Sequence, residues 1–369
     1  MLNATHIEAT TATEATTAAP IAIPAIDCAL HNVVPETAVL FPYLPVQWRE
    51  HIEGTLFKGA VDAAYPRNAP TSSRPGSTPP GGGPPGSDLV TLREHTLDAP
   101  GVECGILTCT YAIDSLRNPD AAIALARAVN DWQIAEWLDQ EPRLRASIVV
   151  PSQLPEAAAR EIERVGAHPG FVQVALPARS HHPYGNRLYH PLWEAMTQYD
   201  LVGGISFGGA PGVPPTPSGW PSTYFEEYAG MAQVFQSQLV SIISEGVFDQ
   251  FPALRVTLMQ SGWTWLPAFM WRFDKEWRNL RRLVPWVRRA PSAYVREHVR
   301  FTVQPLDAPP DAAHLRDILE ELGSDDLLLY GSDYPHQHRA TPEDILLPHF
   351  SEASARKIWA ENARTFYRL

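Results

Sequence analysis

The sequence predicts an α/β fold, a (β/α)8 barrel with a Pro/Gly-rich insertion after its first strand. Short apolar segments alternate with helical segments almost to the C-terminus, and eight of the apolar segments have the character of strands. No Gly-rich phosphate turn follows the first of them, which disfavours the main alternative, a doubly wound open sheet. The chain has 369 residues, 44% of them hydrophobic, which is enough for one barrel with a large buried core.

The predicted strands are short runs of apolar or β-branched residues bounded by Pro, Gly or polar residues, as strands of a buried parallel sheet are. In chain order they cover residues 25–30, 103–109, 145–150, 171–176, 202–206, 255–260, 299–303 and 326–331.

The predicted helices between them carry apolar residues at helical spacing. Segment 118–138 opens with Asn-Pro, and segment 152–166 begins at a Ser cap and ends at Gly. The remaining helices cover 186–199, 223–248, 265–284, 312–323 and 351–367.

The chain is predicted to form one domain with two irregular segments. Residues 1–24 are rich in Ala, Thr and Glu and lack the basic and apolar regions of a secretory signal, so we expect a flexible tail. Residues 25–369 form the single barrel domain. Within it, residues 65–89 concentrate Pro and Gly, which predicts a loop or an extended wrap rather than a packed element.

Composition excludes several classes of function. The net charge of −12 disfavours nucleic acid and anionic membranes as partners, and no apolar stretch is long enough to span a bilayer. The three cysteines, Cys28, Cys104 and Cys109, lie in apolar runs, which favours reduced thiols and a cytoplasmic location. There is no phosphate-binding loop and no CxxC pair.

The barrel fold predicts where a site would lie, because active-site residues of such barrels stand at or beyond the C-terminal ends of strands. The polar or otherwise notable residues at those ends are Ala29 and His31 after the first strand, Ser206 after the fifth, Gln260 at the sixth, Gln304 after the seventh and Asp333 after the eighth.

Several stretches of the chain resemble a known family, the amidohydrolase-related, metal-dependent hydrolases with a TIM barrel. The resemblance covers nearly all of residues 25–369. It is carried by YLPVQWRE, ALARAVNDWQIAEWLDQEPRLRASIVVP, SGWPSTYFEEY, EGVFDQFPALRV, GWTWLPAFMWRFDKEWRNLR, PSAYVREHVRFTVQPL and GSDYPH. It implies an amidohydrolase-type barrel whose metal ligands come from strands one, five, six and eight.

The resemblance also implies that much of the metal site has been lost. The family's ligand positions correspond here to Ala29, His31, Ser206, Gln260 and Asp333, of which only His31 and Asp333 are good ligands. Gln260 cannot supply the charge of a glutamate. We therefore expect in this chain either no metal or a single divalent ion, held by His31 and Asp333 in a vestigial or mononuclear site.

Nearby histidines could rebuild a mononuclear centre; they are His336, His338, His181, His182 and His190. The favoured interpretation is local: His336 hydrogen-bonds within its turn, and His338 is a loop residue. The pocket for a small-molecule substrate is then lined by Ala29, Ser206, Gln260, Gln304 and His336.

Three functions follow from this resemblance. The preferred one is an auxiliary subunit without catalytic residues, partnered in a hetero-oligomer by a paralogous barrel subunit that carries a dinuclear Fe/Mn-type centre. Such two-component oxygenases hydroxylate a small amino acid with O2, as 2-aminoisobutyrate hydroxylase does. The first alternative is a hydrolase or decarboxylase with a rebuilt mononuclear site, with His31 a ligand and Asp333 the general base. The second is a non-enzymatic small-molecule-binding barrel.

Overall fold

The computed structural model describes residues 23–60, 73–99, 101–209, 214, 216 and 218–369. Its eight strands are all parallel and hydrogen-bond in chain order, which confirms the predicted (β/α)8 barrel. They are β1 (Ala25–Leu30), β2 (Val102–Leu107), β3 (Leu144–Val149), β4 (Phe171–Arg179), β5 (Val202–Gly209), β6 (Arg255–Leu258), β7 (Val299–Thr302) and β8 (Leu328–Leu329).

Closure of the barrel depends on the residues that follow β8. The amide of Cys28 donates to Tyr330 O at 3.0 Å, and that of His31 donates to Tyr334 O at 2.8 Å. The buried carboxylate of Asp27 accepts from the amide of Ser332 at 2.9 Å. The end of β1 is therefore joined directly to the segment after β8, and this joint lies at the candidate site.

The helices cover the barrel on its outer side. They are α1 (Val46–Gly54), α2 (Leu89–His95), α3 (Pro119–Gln133), α4 (Pro155–Val165), α5 (His190–Gln198), α6 (Tyr224–Ser244), α7 (Val247–Gln250), α8 (Leu266–Leu280), α9 (Pro291–His298), α10 (Ala312–Leu322), α11 (Pro342–Ile345), α12 (Glu352–Arg356) and α13 (Asn362–Tyr367).

Local sequence signals account for several of their ends. Asn118 caps α3 by accepting from two amides of its first turn, and Pro119 occupies the first helical position. Gly323, in the left-handed conformation, ends α10. The predicted helix 118–138 comprises α3 and a π-helical turn, Ile134–Leu138.

The element boundaries differ from the predictions in a few places. Strands β4 and β5 each run three residues past their predicted ends, to Arg179 and Gly209. Strand β8 shrinks to two residues because Asp325–Leu327 forms a 3-10 turn. Helices α1, α2, α9 and α11 were not predicted. In α1, for example, Ile52 is the one buried residue and there is little apolar periodicity.

The irregular segments and the cysteines complete the description. Residues 1–22 of the predicted tail and 65–72 of the predicted loop lie outside the described residues. Residues 73–88 run over the C-terminal rim of the barrel, where Ser73 pairs with His336. All three cysteines are free. None of the described helices is long and apolar enough to cross a membrane.

Candidate metal centre

A carboxylate surrounded by imidazoles lies at the C-terminal mouth of the barrel. Asp333 Oδ1 is 2.9 Å from His31 Nε2 and 3.4 Å from His336 Nδ1, and Asp333 Oδ2 is 2.7 Å from His338 Nε2. Asp333 and His31 are both 3% exposed. The sequence placed His31 and Asp333 in one site, and the structure brings them together with His336 and His338.

The orientation of His31 is set by the neighbouring strand. Its Nδ1 lies 3.2 Å from the carbonyl oxygen of Thr108, just beyond β2. Because a carbonyl oxygen only accepts, Nδ1 carries the proton in this contact. The Nε2 lone pair is then directed at Asp333, so the 2.9 Å contact requires either a proton or a cation between the two side chains.

Thr108 is itself held by a polar network inside the barrel. Its hydroxyl lies 3.1 Å from Ser147 Oγ, which accepts from the Gln173 amide at 2.8 Å. Gln173 in turn accepts from the Tyr367 hydroxyl at 2.6 Å. All these groups are buried. The barrel interior thus fixes the carbonyl group that orients His31.

The backbone at Asp333 and at Gln260, across the mouth, is in the left-handed region, with φ of 58° and 62°. Few residues other than Gly adopt this conformation, and it costs of order 1–3 kcal/mol. The two side chains meet, since the Gln260 amide donates to Asp333 Oδ1 at 2.7 Å. Both conformations aim a polar side chain into the barrel mouth.

The donor set fits a single divalent cation. Donor atoms of His31, Asp333 and His336 lie within 4.8 Å of one another. Ligand atoms about 2.1 Å from one ion are separated by about 3.0 Å at right angles and about 3.4 Å at the tetrahedral angle. The 2.9 Å and 3.4 Å separations from Asp333 Oδ1 match these edges. Moreover, His336 Nδ1 is buried without a well-directed hydrogen-bond partner, as a ligand atom would be.

Electrostatics keeps the central carboxylate ionised. Burial acts to raise the pKa of Asp333, but its contacts with His31, His336 and His338 hold the pKa well below its usual range. Burial acts to lower the pKa of His336, yet the Asp333 carboxylate raises it overall. A permanent negative charge at Asp333 is what a cation ligand needs.

The side of the mouth formed by β5 and β6 offers no comparable donors. Ser206 is partly buried on β5 opposite Pro177 of β4. On the other side, Ala29 lies within β1 and is completely buried. Gln260 is engaged, accepting from the Phe207 amide at 3.2 Å while donating to Asp333. Ala29 is thus enclosed by packing and Gln260 is held by hydrogen bonds, while Ser206 offers only a hydroxyl.

Other predicted residues have different roles. The Gln304 amide does not line an open pocket; it is 2% exposed and donates to Ala340 O at 2.9 Å. His181 and His182 are exposed, and His190 contacts Gln250. His336 does bond within its turn, its amide donating to Asp333 O at 2.8 Å. The local interpretation misses that the side chains of both His336 and His338 also reach the Asp333 carboxylate. The close spacing of Asp333, His336 and His338 in the sequence was the available signal.

Comparisons with known proteins agree with this architecture. The model of the amidohydrolase family matches residues 26–369. Among curated proteins, the γ-resorcylate decarboxylase of Polaromonas sp. (strain JS666) is 26% identical over 306 residues, covering 76% of this chain and 88% of the relative. The γ-resorcylate decarboxylase of Rhizobium sp. (strain MTP-10005) is 28% identical over 300 residues, with the same shares.

Solved structures show the same fold. The 2,6-dihydroxybenzoate decarboxylase from Rhizobium superposes with a TM-score of 0.64 at 23% identity, covering 94% of this chain and 98% of that one. A point mutant of the 5-carboxyvanillate decarboxylase from Novosphingobium aromaticivorans, with bound manganese, superposes with a TM-score of 0.66 at 19% identity, covering 94% of this chain and 97% of that one. These relatives lend no support to an oxygenase partner subunit and agree better with the decarboxylase alternative. The family match over nearly the whole barrel shows that this chain belongs to the amidohydrolase family.

Proposed function

We propose that this chain is a single-metal decarboxylase that removes CO2 from a small aromatic carboxylic acid. The observation that carries the proposal is the convergence of His31, Asp333 and His336 at the barrel mouth. The curated relatives add the reaction class, since they are named as decarboxylases. A manganese-bound decarboxylase with the same fold supports a divalent ion as the cofactor.

Two imidazoles and one carboxylate would hold the ion, with His31, Asp333 and His336 as ligands. When bound, the ion supplies a Lewis-acid charge for the oxygens of a carboxylate substrate. In the reaction the bond between ring carbon and carboxylate breaks, CO2 leaves, and the carbon accepts a proton. Asp333 remains the anionic centre of the site. His338, 2.7 Å from Asp333 Oδ2 and partly exposed, is placed to hold and transfer that proton through Nε2.

An aromatic wall next to the donors supports an aromatic substrate. The Phe207 and Tyr228 rings have centroids 5.7 Å apart, as do the Tyr224 and Tyr228 rings. The Phe207 backbone is hydrogen-bonded to Gln260, which joins the wall to the site. Burial, and next to it the charge of Asp333, raises the pKa of Tyr228 to about 12, so its phenol stays neutral. Flat rings of this kind favour a flat, apolar substrate body.

The test is decarboxylation by the purified, metal-loaded chain. We expect protein loaded with Mn²⁺ or Zn²⁺ to release CO2 from at least one member of a panel of hydroxylated benzoates. Asp333→Asn should abolish the release, whereas a control at an exposed residue of α6, Gln233→Glu, should retain it. A wild-type protein that binds the ion but converts no carboxylic acid in the panel would contradict the proposal.

A second candidate is the auxiliary subunit of a two-component oxygenase. It is favoured by one observation, the absence of ligating side chains at Ala29 and Ser206. This hypothesis requires a paralogous, metal-bearing barrel subunit that co-purifies with the chain and depends on it for hydroxylation with O2. Decarboxylation by the isolated chain would exclude it.

A further inference from the structure

Arg74 hydrogen-bonds to the turn that carries Asp333 and His336, two of the three candidate metal donors. Its Nη2 donates to the carbonyl oxygen of Ser332 at 2.9 Å, and its Nε lies 3.4 Å from that of His336. Its backbone amide donates to Pro335 O at 2.9 Å. The guanidinium also lies over the Tyr334 ring, 5.8 Å from the centroid. Arg74 therefore contacts the backbone on both sides of Asp333.

The segment that contains Arg74 also contacts the backbone at His31, the third candidate donor. The Val33 amide donates to the Gly86 carbonyl at 3.0 Å. A Cβ at Gly86 would lie 2.6 Å from the carbonyl oxygen of His31, and Gly86 has a φ of +84°. Only glycine permits this approach without strain. The strap, residues 73–88, thus contacts the backbone at His31 through one end and the backbone around Asp333 and His336 through the other.

The strap is internally bonded, although it has no helix or strand. The Ser77 hydroxyl and amide both donate to Arg74 O, at 2.7 and 3.1 Å, and Ser77 is completely buried. The Ser87 amide closes a second turn on Pro84 O at 3.1 Å. Proline and internal turns limit the freedom of such a segment, so it holds its two contact points at a constant separation.

We infer that Arg74 is a positioning residue of the metal centre and that the strap sets the distance between His31 and the Asp333–His336 turn. The inference deepens the proposed function and rests on it for the role of the metal. Arg74 contacts backbone carbonyls and does not touch the donor atoms, so it acts through the turn. Its forked guanidinium reaches two carbonyl groups, which a single ammonium does not do in the same geometry.

The experiment compares Arg74→Gln and Arg74→Lys with a control, Arg296→Gln, whose native side chain donates to the carbonyl of Leu322 away from the mouth. Hydrogen exchange of the amides at 332–338 is measured in metal-free protein, and Mn²⁺ affinity by calorimetry. We expect both Arg74 variants to exchange faster there and to bind Mn²⁺ about 10- to 100-fold more weakly. The control should match the wild type in both measurements.

Three outcomes would overturn the inference. One is unchanged exchange at 332–338 in both Arg74 variants. Another is unchanged Mn²⁺ affinity in both. The third is an Arg74→Lys protein with wild-type Mn²⁺ affinity together with an Arg74→Gln protein that binds Mn²⁺ more tightly than the wild type. That result would show that Arg74 acts through its charge alone. If wild-type protein bound Mn²⁺ and the strap behaved as inferred, but no carboxylic acid were converted, only the proposed function would fail.

Discussion

The two sides of the barrel mouth differ sharply in the chemistry they offer. On the β1–β8 side, His31, Asp333, His336 and His338 converge within hydrogen-bonding or ligand distance. On the β5–β6 side, Ser206 and Gln260 are neutral, and Gln260 serves Asp333 as a hydrogen-bond donor. The donors of this site therefore come from the turn after β8 and from His31 just past β1, whereas Ala29 within β1, Ser206 on β5 and Gln260 after β6 supply no comparable ligand.

The largest effect on metal binding is expected from a substitution of Asp333, the central residue of the donor-rich side. Asp333→Asn removes the only negative charge among the three donors, so Mn²⁺ affinity should fall by more than the roughly 100-fold that a mutated outer-shell partner costs. Calorimetry and metal analysis measure this change. Asp317→Asn, which alters an exposed carboxylate on α10, is the matched control and should bind normally. Retained binding by Asp333→Asn would place the ion elsewhere.

A smaller effect is expected from the histidine that contacts Asp333 without belonging to the three-donor cluster. His338→Gln weakens the contact at Asp333 Oδ2, so calorimetry should show Mn²⁺ affinity about 10- to 100-fold lower. It also removes the proposed proton donor, so turnover at saturating Mn²⁺ should fall about 100-fold or more. His182→Gln, at an exposed histidine, is the control. If His338→Gln lost metal as completely as Asp333→Asn, His338 would be a direct ligand.

On the donor-poor side, Gln260→Glu tests whether the hydrogen bond from the Gln260 amide stabilises the Asp333 carboxylate. Replacing the 2.7 Å donor by a carboxylate sets two like charges together, so metal-free protein should lose about 1–3 kcal/mol of unfolding free energy at pH 8. Saturating Mn²⁺ should reduce the loss. Urea unfolding with and without the ion measures both, with Gln233→Glu as control. If metal-free Gln260→Glu and wild-type proteins had the same unfolding free energy, the side chains at positions 260 and 333 would not be energetically coupled.

The smallest effect concerns a buried carboxylate that lacks the partners of Asp333. Asp114 Oδ2 is buried without a hydrogen-bond partner, and burial raises its pKa to about 6. The ionised form is disfavoured in the folded chain, so the contribution of Asp114 to stability is greatest below pH 4 and is lost as the pH rises from about 4 through about 6. Asp114→Asn should therefore raise the unfolding free energy by about 1–2 kcal/mol at pH 8 and leave it unchanged at pH 4. A gain of equal size at both pH values would contradict this cause.

Much of the fold follows from the sequence because its signals are local. Apolar runs such as 25–30 and 171–176 predict buried parallel strands, and a capped segment such as 118–138 predicts a helix. The alternation of these elements then selects the barrel. The predictions were weakest where the local pattern was weak, as at the two-residue β8, whose position is set by pairing with β7 and by the closure contacts of Tyr330 and Tyr334.

The site was only partly accessible from the sequence. His31 and Asp333 could be predicted, because barrel geometry places strand ends together. The participation of His336 and His338 depends on the left-handed backbone at Asp333, which turns the following residues back over the mouth. The role of Arg74 could not be predicted from the sequence, since the strap has no periodic pattern of apolar residues. The hydrogen bonds of Arg74 to Ser332 and His336 also join residues more than 250 positions apart in the chain. The residue types at the strand ends and the order of the strands can be read from the sequence. Which of those side chains come within ligand distance of one another is decided by long-range packing.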